Sequence, residues 1–345
     1  MRILIDINHP AHVHLFRNAA DAWRARGDEV LLTATQKGVV DQLLASYDLP
    51  YRIIYTRRPG RWNLARELIV RTAKLSRVML GFRPDVIVSL GSPTAAWAAT
   101  LLRKPHIAFD DTEDSVGQAW LYRPFSRHVC VPEAFMVSFG RKEVRYPGYH
   151  ELAYLHPARF VPNPAKIAPL STGERYFVVR YIDWDAAHDA QHGGLSAAGK
   201  KRLIGLLSQQ GRVVLSLEKQ APVILKPDGT PGEQLPAESM HHLLAFAALY
   251  AGEGVTAASE AAILGTPAIL INSRELGYIL EQQDRYQLAY HFKDEDAALA
   301  KISRILAQDD LRSVWRCRQE LMLSEKTDVT AWMIDFIDGV VRDDR

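Results

Sequence analysis

Short apolar segments alternate with helical patterns along almost the whole chain. In the first part, residues 3–7, 29–33 and 84–89 are apolar, and each precedes a segment with helical periodicity. A second set begins at 176–181 and continues through 213–217. Parallel strands are joined by helical crossovers and are buried on both faces, so they form continuous apolar segments. The alternation therefore predicts doubly wound α/β sheets of parallel strands.

A proline-rich stretch separates the two sets. Residues 157–169 contain four prolines and show little periodicity, which is typical of a linker. The length of 345 residues also suits two cores better than one. We therefore predict an N-terminal domain over residues 1–160, a linker over 161–172 and a C-terminal domain over 173–325.

The composition is that of an ordinary globular protein. Apolar residues make up 48% and charged residues 24%, and the net charge of +2 gives the chain as a whole no attraction to nucleic acid. Cys130 and Cys317 lie far apart without metal-binding spacing, which suits a reducing compartment. The N-terminus is typical of a strand rather than a signal peptide, and no apolar run is long enough to predict a membrane span. We expect a cytoplasmic protein without a bound metal or cofactor.

Residues 250–271 predict a strand, a glycine turn, a helix and a second strand. Gly252 and Gly254 allow positive φ in the turn, and they allow another backbone or a ligand to come close. A helix starting near Thr256 would aim unpaired N–H groups and the positive end of its dipole at the turn, which favours phosphate. Glu260 would lie one turn inside this helix, where its carboxylate can accept hydrogen bonds from a ribose diol. The alternative is a plain βαβ unit that binds nothing.

The segment Glu260-Ala-Ala-Ile-Leu-Gly-Thr-Pro267 resembles a known nucleotide-sugar motif. The motif belongs to glycosyltransferases of the GT-B architecture, and UDP-N-acetylglucosamine 2-epimerases have a similar segment. In those families the Glu binds the ribose and the glycine turn meets the diphosphate. The resemblance implies that Glu260, Gly254, Val255 and Thr256 bind a nucleotide sugar, UDP-linked. This chain has Glu253-Gly254-Val255 where relatives usually have Asp-Ser-Gly.

The loop after the first predicted strand contains His9, His12 and His14. In open α/β sheets, ligands bind outside the carboxyl ends of the strands, where this loop begins. Because a neutral imidazole can exchange a proton near pH 7, His9 and His12 are candidate catalytic residues. Local capping and packing are the alternative, and the spacing matches no established metal site. Ser92, in a turn of small residues, is a candidate contact for a sugar or phosphate oxygen, or part of a plain tight turn.

An acidic run follows the strand predicted at 105–109. Residues 110–114 include four acids, and adjacent carboxylates repel one another, so that one can titrate at a higher pH as a general base requires. Asp110, Asp111 and Glu113 are therefore candidate catalytic residues. The alternative is that Asp111 or Thr112 caps the next helix.

The loop after the first strand of the second set is also polar. Arg180 and His188 are candidate contacts for a diphosphate, and Trp184 could cover a sugar or a base. A solvated loop held by the tryptophan is the alternative.

Four segments together resemble the domain-of-unknown-function family 354, and the resemblance covers nearly the whole chain. They are Ile5-Asp-Ile-Asn-His-Pro-Ala-His-Val-His-Leu-Phe16, Asp110-Asp-Thr-Glu113, Tyr146-Pro-Gly-Tyr-His-Glu-Leu-Ala-Tyr-Leu-His-Pro157 and Trp184-Asp-Ala-Ala-His-Asp189. The resemblance implies a GT-B-like fold, in which two Rossmann-like domains face each other across a cleft. It also implies that a final helix, within residues 326–345, returns to the N-terminal domain. The His-Arg-Arg-Glu-Asn signature of the epimerases is absent.

Residues 57–83 combine positive charge with apolar side chains. Eight Lys or Arg residues are interleaved with Trp, Leu, Val, Met and Phe, and Glu67 is the single acid. A basic amphipathic helix is typical of peripheral contact with a membrane surface. Such contact would suit a transferase that acts on a lipid-linked acceptor at the inner face of the plasma membrane. The alternative is a crossover helix with a solvated basic face.

Three functions fit these observations. The first is a glycosyltransferase that takes a nucleotide sugar and a glycan or lipid-linked acceptor, in cell-surface polysaccharide or glycolipid biosynthesis. The second is a UDP-N-acetylhexosamine 2-epimerase or hydrolase, which needs no acceptor. The third is a non-catalytic nucleotide-sugar-binding protein.

Overall fold

A computed structural model describes most of the chain and divides it into two compact units. The described residues are 1–36, 44, 47, 49–56, 63–113, 116–170, 173–182, 193–218 and 220–343. The N-terminal unit comprises Met1–Tyr154 and Thr327–Arg345, and the C-terminal unit comprises Leu155–Lys326. Within the stretch predicted as a linker, Pro164–Leu170 forms 3₁₀ turns whose Ile167 and Leu170 side chains are buried. The sequence also predicts a helix over residues 37–47, and nearly all of these residues lie outside the described ones.

The N-terminal unit is built on a parallel sheet of seven strands in the order β3-β2-β1-β4-β5-β6-β7. The strands are β1 (Arg2–Ile7), β2 (Glu29–Gln36), β3 (Tyr51–Thr56), β4 (Val86–Leu90), β5 (His106–Phe109), β6 (His128–Pro132) and β7 (Glu143–Tyr146). β1 lies inside the sheet, between β2 and β4, and its residues from Ile3 onward are all buried. A parallel strand that is buried on both faces of its sheet has this continuous apolar pattern.

Helices cover both faces of this sheet. They are α1 (Pro10–Ala25), α2 (Asn63–Phe82), α3 (Pro93–Leu101), the single turns α4 (Val116–Ala119) and α5 (Leu152–Leu155), and, at the end of the chain, α12 (Val329–Asp343). α12 packs on α1, where Asp338 accepts hydrogen bonds from Trp23 Nε1 at 3.3 Å and Arg26 Nη2 at 2.7 Å. Thr330 Oγ1 donates to the carbonyl oxygen of Ala153 at 2.7 Å. These bonds fix the last helix within the N-terminal unit.

The C-terminal unit repeats the plan with a second sheet of seven strands in the order β11-β10-β9-β8-β12-β13-β14. The strands are β8 (Tyr176–Tyr181), β9 (Arg212–Leu217), β10 (Val223–Leu225), β11 (Pro231–Gln234), β12 (Leu249–Gly252), β13 (Ala268–Ile271) and β14 (Ala289–Phe292). The helices are α6 (Ala197–Ser208), α7 (Met240–Phe246), α8 (Val255–Ile263), α9 (Gly277–Asp284), α10 (Glu295–Leu306) and α11 (Leu311–Glu325). Five strands run parallel, and β10 and β11 extend the edge antiparallel.

The fold agrees with the parallel α/β sheets predicted from the alternation, and it adds three short strands. β10 escaped prediction because it has only three residues, and β11 escaped because it is fully exposed and lacks the apolar signal of a buried strand. β7 escaped for a similar reason, since only its last residue is buried. Within the described ranges, no helix is both long and apolar enough to cross a bilayer.

Candidate functional site

The carboxyl edge of the N-terminal sheet is organised around Asp6, which is fully buried at the end of β1. Its carboxylate accepts hydrogen bonds from Thr33 Oγ1 at 3.0 Å, Ser92 Oγ at 2.7 Å and Asn8 Nδ2 at 3.2 Å. Ser92 Oγ also accepts a hydrogen bond from Ala95 N at 3.3 Å and so caps α3. Ser92 is therefore buried and caps α3, and its contact with a sugar or phosphate oxygen stays a prediction.

One arginine of the basic stretch 57–83 belongs to this buried cluster. The Arg71 side chain is 10% exposed, and its Nη2 lies 3.7 Å from the Asp6 carboxylate and donates to Asn8 Oδ1. Its Nη1 lies 3.7 Å from Glu67, one turn earlier on α2. Burying a charged group is costly unless it is paired, and these contacts supply the pairing. The basic stretch is thus not a uniformly solvated face.

His9 and His12 both lie at the start of α1. His9 has the extended conformation expected before Pro10, with φ −151°, and its Nδ1 accepts a hydrogen bond from Ala11 N. His12 is 8% exposed, and its Nδ1 accepts a hydrogen bond from Asn8 N at 3.3 Å. The two ring centroids are 6.0 Å apart. His9 is therefore exposed and caps the helix, whereas His12 is buried beside Asn8 at the carboxyl edge of the sheet.

Asp110 is buried after β5 and is bonded on both oxygens. Tyr122 donates its hydroxyl proton to Oδ2, and Thr112 N donates to Oδ1 at 3.0 Å. Burial, with the adjacent charge of Asp111, raises the pKa of Asp110 to about 6 against the lowering effect of the Tyr122 hydrogen bond. This carboxyl group therefore titrates close to neutral pH.

Asp111, the next residue, has the opposite environment. Its Oδ2 lies 2.9 Å from Nδ1 of His150, and its Oδ1 accepts the hydroxyl of Thr112 at 2.9 Å. Burial alone would raise the pKa of Asp111, but the charge and hydrogen bond of His150 outweigh it and lower the pKa. Burial likewise opposes charge on His150, yet Asp111 raises its pKa above the ordinary value. The two neighbouring carboxyl groups are thereby driven apart in pKa, an arrangement typical of sites that transfer protons.

Glu113 is the third predicted catalytic acid, and it bonds to the backbone of another segment. It is 8% exposed, and its Oε1 accepts a hydrogen bond from Met136 N at 3.3 Å. Its neighbour Asp114 lies outside the described residues. Of the three predicted catalytic acids, Asp111 has the most accessible carboxylate, with 18% of the side chain exposed.

In the C-terminal unit, the turn between β12 and α8 lies at the carboxyl edge of the sheet. A Cβ at Gly252 would lie 2.2 Å from the carbonyl oxygen of Arg180, so this glycine is required by the close approach of the β8 backbone. Gly254 has a φ of −80°, and the positive φ considered for the turn is not needed there. The close approach that a glycine permits in this turn is thus one between two backbone segments, at Gly252 and Arg180.

The N-terminus of α8 is open at this turn. Gly254 is the N-cap residue and has no side chain to accept the first N–H groups, which belong to Val255 and Thr256. The Arg180 side chain lies across the turn, since a Cβ at Gly254 would be 3.4 Å from its Nε. Its Nη1 donates to Ser216 Oγ at 2.7 Å. A guanidinium and a positive helix end therefore meet at one place, which favours an anion such as a diphosphate.

Glu260 lies further along α8 and is paired within the unit. It is 7% exposed, and its Oε1 lies 3.1 Å from Nε2 of His241 on α7. The imidazole orients the carboxylate on the same helix whose N-terminus is open.

Glu253, the unusual residue of the turn, has a structural role. It is fully buried and accepts hydrogen bonds from Ile182 N at 3.1 Å and Leu195 N at 2.8 Å. Lys200 Nζ lies 3.3 Å from its Oε1. The carboxylate thus joins both ends of the segment that contains Trp184 and His188, two predicted site residues that lie outside the described part of the chain.

A known protein family matches the N-terminal part of the chain. Residues 1–156 match the family model described as Protein of unknown function (DUF354). The predicted family resemblance is therefore confirmed for the N-terminal part, and no curated protein matches the sequence.

Solved structures similar to this chain cover almost its full length. The S. aureus MnaA–UDP structure has a TM-score of 0.69 at 10% identity, covering 99% of this chain and 97% of its own. UDP-GlcNAc 2-epimerase from Neisseria meningitidis bound to UDP-GlcNAc has 0.67 at 11%, with 98% and 99% covered. Glycosyltransferase VinC in complex with dTDP has 0.64 at 12%, with 99% of each chain covered. The predicted GT-B-like fold, shared by glycosyltransferases and 2-epimerases, is confirmed.

Three partners of the candidate site residues were not assigned a role from the sequence. His150 lies in a segment used only for the family resemblance, Tyr122 is 12 residues from Asp110, and His241 is 19 residues from Glu260. Nothing in the local pattern indicates these pairings, because they depend on how separate elements meet. In the described portion of the chain, no three His, Cys, Asp or Glu side chains group as a metal site would require.

Proposed function

We propose that this chain binds a nucleotide sugar, UDP-linked, against its C-terminal unit and acts as a glycosyltransferase. The observation that supports this most is the turn before α8, where the open helix N-terminus lies beside the guanidinium of Arg180. The diphosphate would lie at Gly254, Val255 and Thr256. Glu260, oriented by His241, would accept hydrogen bonds from the ribose hydroxyl groups.

The N-terminal edge would supply the base that takes a proton from the acceptor. A base among His9, His12 and Asp111 would take the proton of the acceptor hydroxyl group, and the helix end would stabilise the leaving diphosphate. Asp110, which accepts a hydrogen bond from Tyr122, and Glu113, which accepts one from Met136 N, would fix the loop that carries Asp111. The acceptor would be a glycan or a lipid-linked glycan, in cell-surface polysaccharide or glycolipid biosynthesis.

A second candidate function is a UDP-N-acetylhexosamine 2-epimerase or hydrolase. The adjacent carboxyl groups Asp110 and Asp111, with unequal pKa values, support it, because removal of a proton from a sugar carbon needs a base. A protein that only binds the nucleotide sugar is the third candidate. The paired carboxylates and imidazoles of the N-terminal edge are more than binding at the C-terminal unit requires.

A thermal-shift screen with UDP, GDP, CMP, dTDP and their sugar conjugates tests the binding proposal. A ligand that binds only the folded state stabilises it by about 2.7 kcal/mol at a concentration of 100 times its Kd. We expect a selective rise in Tm with uridine nucleotides that Glu260→Ala reduces and the exposed-site control Glu320→Ala retains. A screen without any nucleotide-dependent rise contradicts the proposal.

Turnover separates the three functions. We expect UDP-N-acetylglucosamine or a related donor to release UDP only when an acceptor is present. Exchange of the C2 hydrogen for deuterium in D₂O without an acceptor would identify the epimerase. Tight binding without turnover over a broad panel of acceptors would identify a binding protein.

A further inference from the structure

The exposed side of α2 carries large apolar side chains among its basic ones. Ile69 is 67% exposed and Leu80 is 62% exposed. Arg66, Lys74 and Arg77 are exposed on the same helix. Folding therefore leaves apolar and basic side chains together in water along α2, while Arg71 alone turns inward to Asp6 and Asn8.

A second group of exposed apolar side chains follows α3. Leu101, at its end, is 69% exposed, and Trp120 and Phe125, in the segment after α4, are 63% and 44% exposed. The Arg123 guanidinium lies 4.9 Å from the centre of the Trp120 ring. An exposed tryptophan stacked by an arginine is a costly surface for a protein that contacts only water.

These two groups belong to one continuous layer. Leu75 and Met79 of α2 pack in the same core cluster as Ala95 and Ala98 of α3. Trp97 of α3 connects the layer to the next segment, since its Nε1 donates to the carbonyl oxygen of Leu121 at 2.7 Å and its ring lies 6.2 Å from that of Phe125.

We call the exposed side of this layer the α2–α3 face. Its exposed apolar side chains are those of Ile69, Leu80, Leu101, Trp120, Leu121 and Phe125. Arg66, Lys74 and Arg77 are its exposed basic side chains on α2, and Arg83, Arg103 and Arg127 are exposed in the segments that follow its helices.

The charge of the face has one sign. Among the described residues 63–113 and 116–127, no acidic side chain is exposed. Glu67, Asp110 and Glu113 are buried, and Asp85 and Asp111 are partly buried. The whole chain carries a net charge of only +2, so its positive charge is concentrated here rather than spread evenly.

We propose that the α2–α3 face docks on a membrane surface that contains anionic lipids. Its Lys and Arg side chains would contact the headgroups, and Trp120, Phe125 and the aliphatic side chains would enter the interfacial layer. A second copy of the chain would bring two surfaces of like charge together, which is unfavourable. An anionic membrane surface would both neutralise the basic side chains and remove the apolar side chains from water.

The same segment connects the face to the candidate catalytic carboxylates. Tyr122 lies between Trp120 and Phe125 in the chain but turns inward, where its hydroxyl donates to Asp110. A lipid-linked acceptor at the face would therefore be one short segment away from Asp110 and Asp111. The docking surface itself does not depend on the proposed sugar-nucleotide activity.

Co-sedimentation of the whole chain with vesicles tests this surface. We expect binding to vesicles of phosphatidylcholine mixed with phosphatidylglycerol, weaker at high salt, and little binding to phosphatidylcholine alone. Reversing three charges in Arg66→Glu/Lys74→Glu/Arg77→Glu should weaken binding by about a hundredfold or more, since each basic residue contributes roughly fivefold. Trp120→Ser/Phe125→Ser should weaken it by about tenfold and leave the salt dependence in place.

Matched controls lie on α11. Arg316 is exposed and Leu321 is 50% exposed, so Arg316→Glu and Leu321→Ser should bind vesicles as the parent chain does. The proposal is overturned if the parent chain ignores anionic vesicles, binds both kinds equally, or binds no better than the α2–α3 variants. A parent dimer that Trp120→Ser/Phe125→Ser converts to a monomer would overturn it in favour of self-association. Nucleotide binding measured on the same variants should not change, which separates this test from that of the proposed function.

Discussion

The two sheets share a plan but present different chemistry at their carboxyl edges. In the N-terminal unit, the strand ends carry carboxyl groups that are bonded to hydroxyl, amide and imidazole groups, as at Asp6, Asp110 and Asp111. In the C-terminal unit, the central turn carries an open helix N-terminus and the permanently charged Arg180. One edge can exchange protons near neutral pH, and the other can hold an anion.

The difference shows how much of a site is decided by topology and how much by residue type. In both units the parallel strands bring their following loops to one edge, whatever the loops contain. Edges of the same geometry therefore differ in chemistry: one carries buried carboxyl groups, and the other carries a helix N-terminus without a side-chain cap. The comparison predicts that changes at the N-terminal edge act on turnover and changes at the C-terminal edge act on nucleotide affinity.

The largest effect is expected from Asp111→Asn. Removing a positioned base or its charge typically lowers kcat by about 10²- to 10⁴-fold. Donor affinity should stay the same, because Asp111 belongs to the other unit. Steady-state kinetics with the donor found by screening, together with Kd for that donor, measure both. A kcat within about threefold of the parent value would remove Asp111 from the mechanism.

Arg180→Ala should act on affinity instead. A hydrogen bond to a charged group contributes about 1.5–3 kcal/mol, so binding of UDP should weaken by roughly ten- to a hundredfold while uridine binding changes little. Arg175→Ala is the matched control, since Arg175 precedes β8 at the opposite end of the strand and packs on Phe177. Equal losses for UDP and uridine would contradict a diphosphate contact.

His150→Gln sharpens the account of the Asp111 pair. The imidazolium lowers the pKa of Asp111, so its loss should raise that pKa. If the ionised carboxylate is the active form, the acidic limb of the kcat/KM profile should move to higher pH. The effect should disappear in the Asp111→Asn background, which a double-mutant cycle measures. A profile that stays in place would show that the pair is only structural.

The smallest effect is expected from Asp110→Asn, on stability. With a folded-state pKa of about 6, Asp110 keeps its proton where the unfolded carboxyl has lost it. This stabilisation is complete below the unfolded pKa and is lost as the pH rises through 6. Between pH 5 and pH 7.5 the parent chain should therefore lose about 1.4 kcal/mol from this group, and Asp110→Asn should not. Urea unfolding at both pH values tests this, and equal pH dependence in the two proteins would contradict the buried carboxyl.

The sequence predicted elements better than contacts. The strands β1, β4, β8 and β13 are continuous apolar segments, so burial on both faces could be predicted from them alone. Asp110, Asp111 and Glu260 were predicted as site residues because acids at strand ends and in a known motif are conspicuous. Their partners His150 and Tyr122 were not, since the pairing depends on tertiary packing.

Two other features could not be predicted for physical reasons. Glu253 breaks the usual turn sequence, and only the structure shows that its carboxylate joins Ile182 and Leu195. The basic stretch predicts one amphipathic helix, but exposed Trp120 and Phe125 join that surface through α3, from a segment with no periodicity of its own.

The central claim is that nucleotide binding belongs to the C-terminal edge and proton transfer to the N-terminal edge. Calorimetric titration of UDP into the parent chain, Glu260→Ala and Asp111→Asn tests it most directly. The account predicts a loss of about ten- to a hundredfold in affinity for Glu260→Ala and an unchanged Kd for Asp111→Asn. Unchanged binding in Glu260→Ala together with lost binding in Asp111→Asn would contradict it.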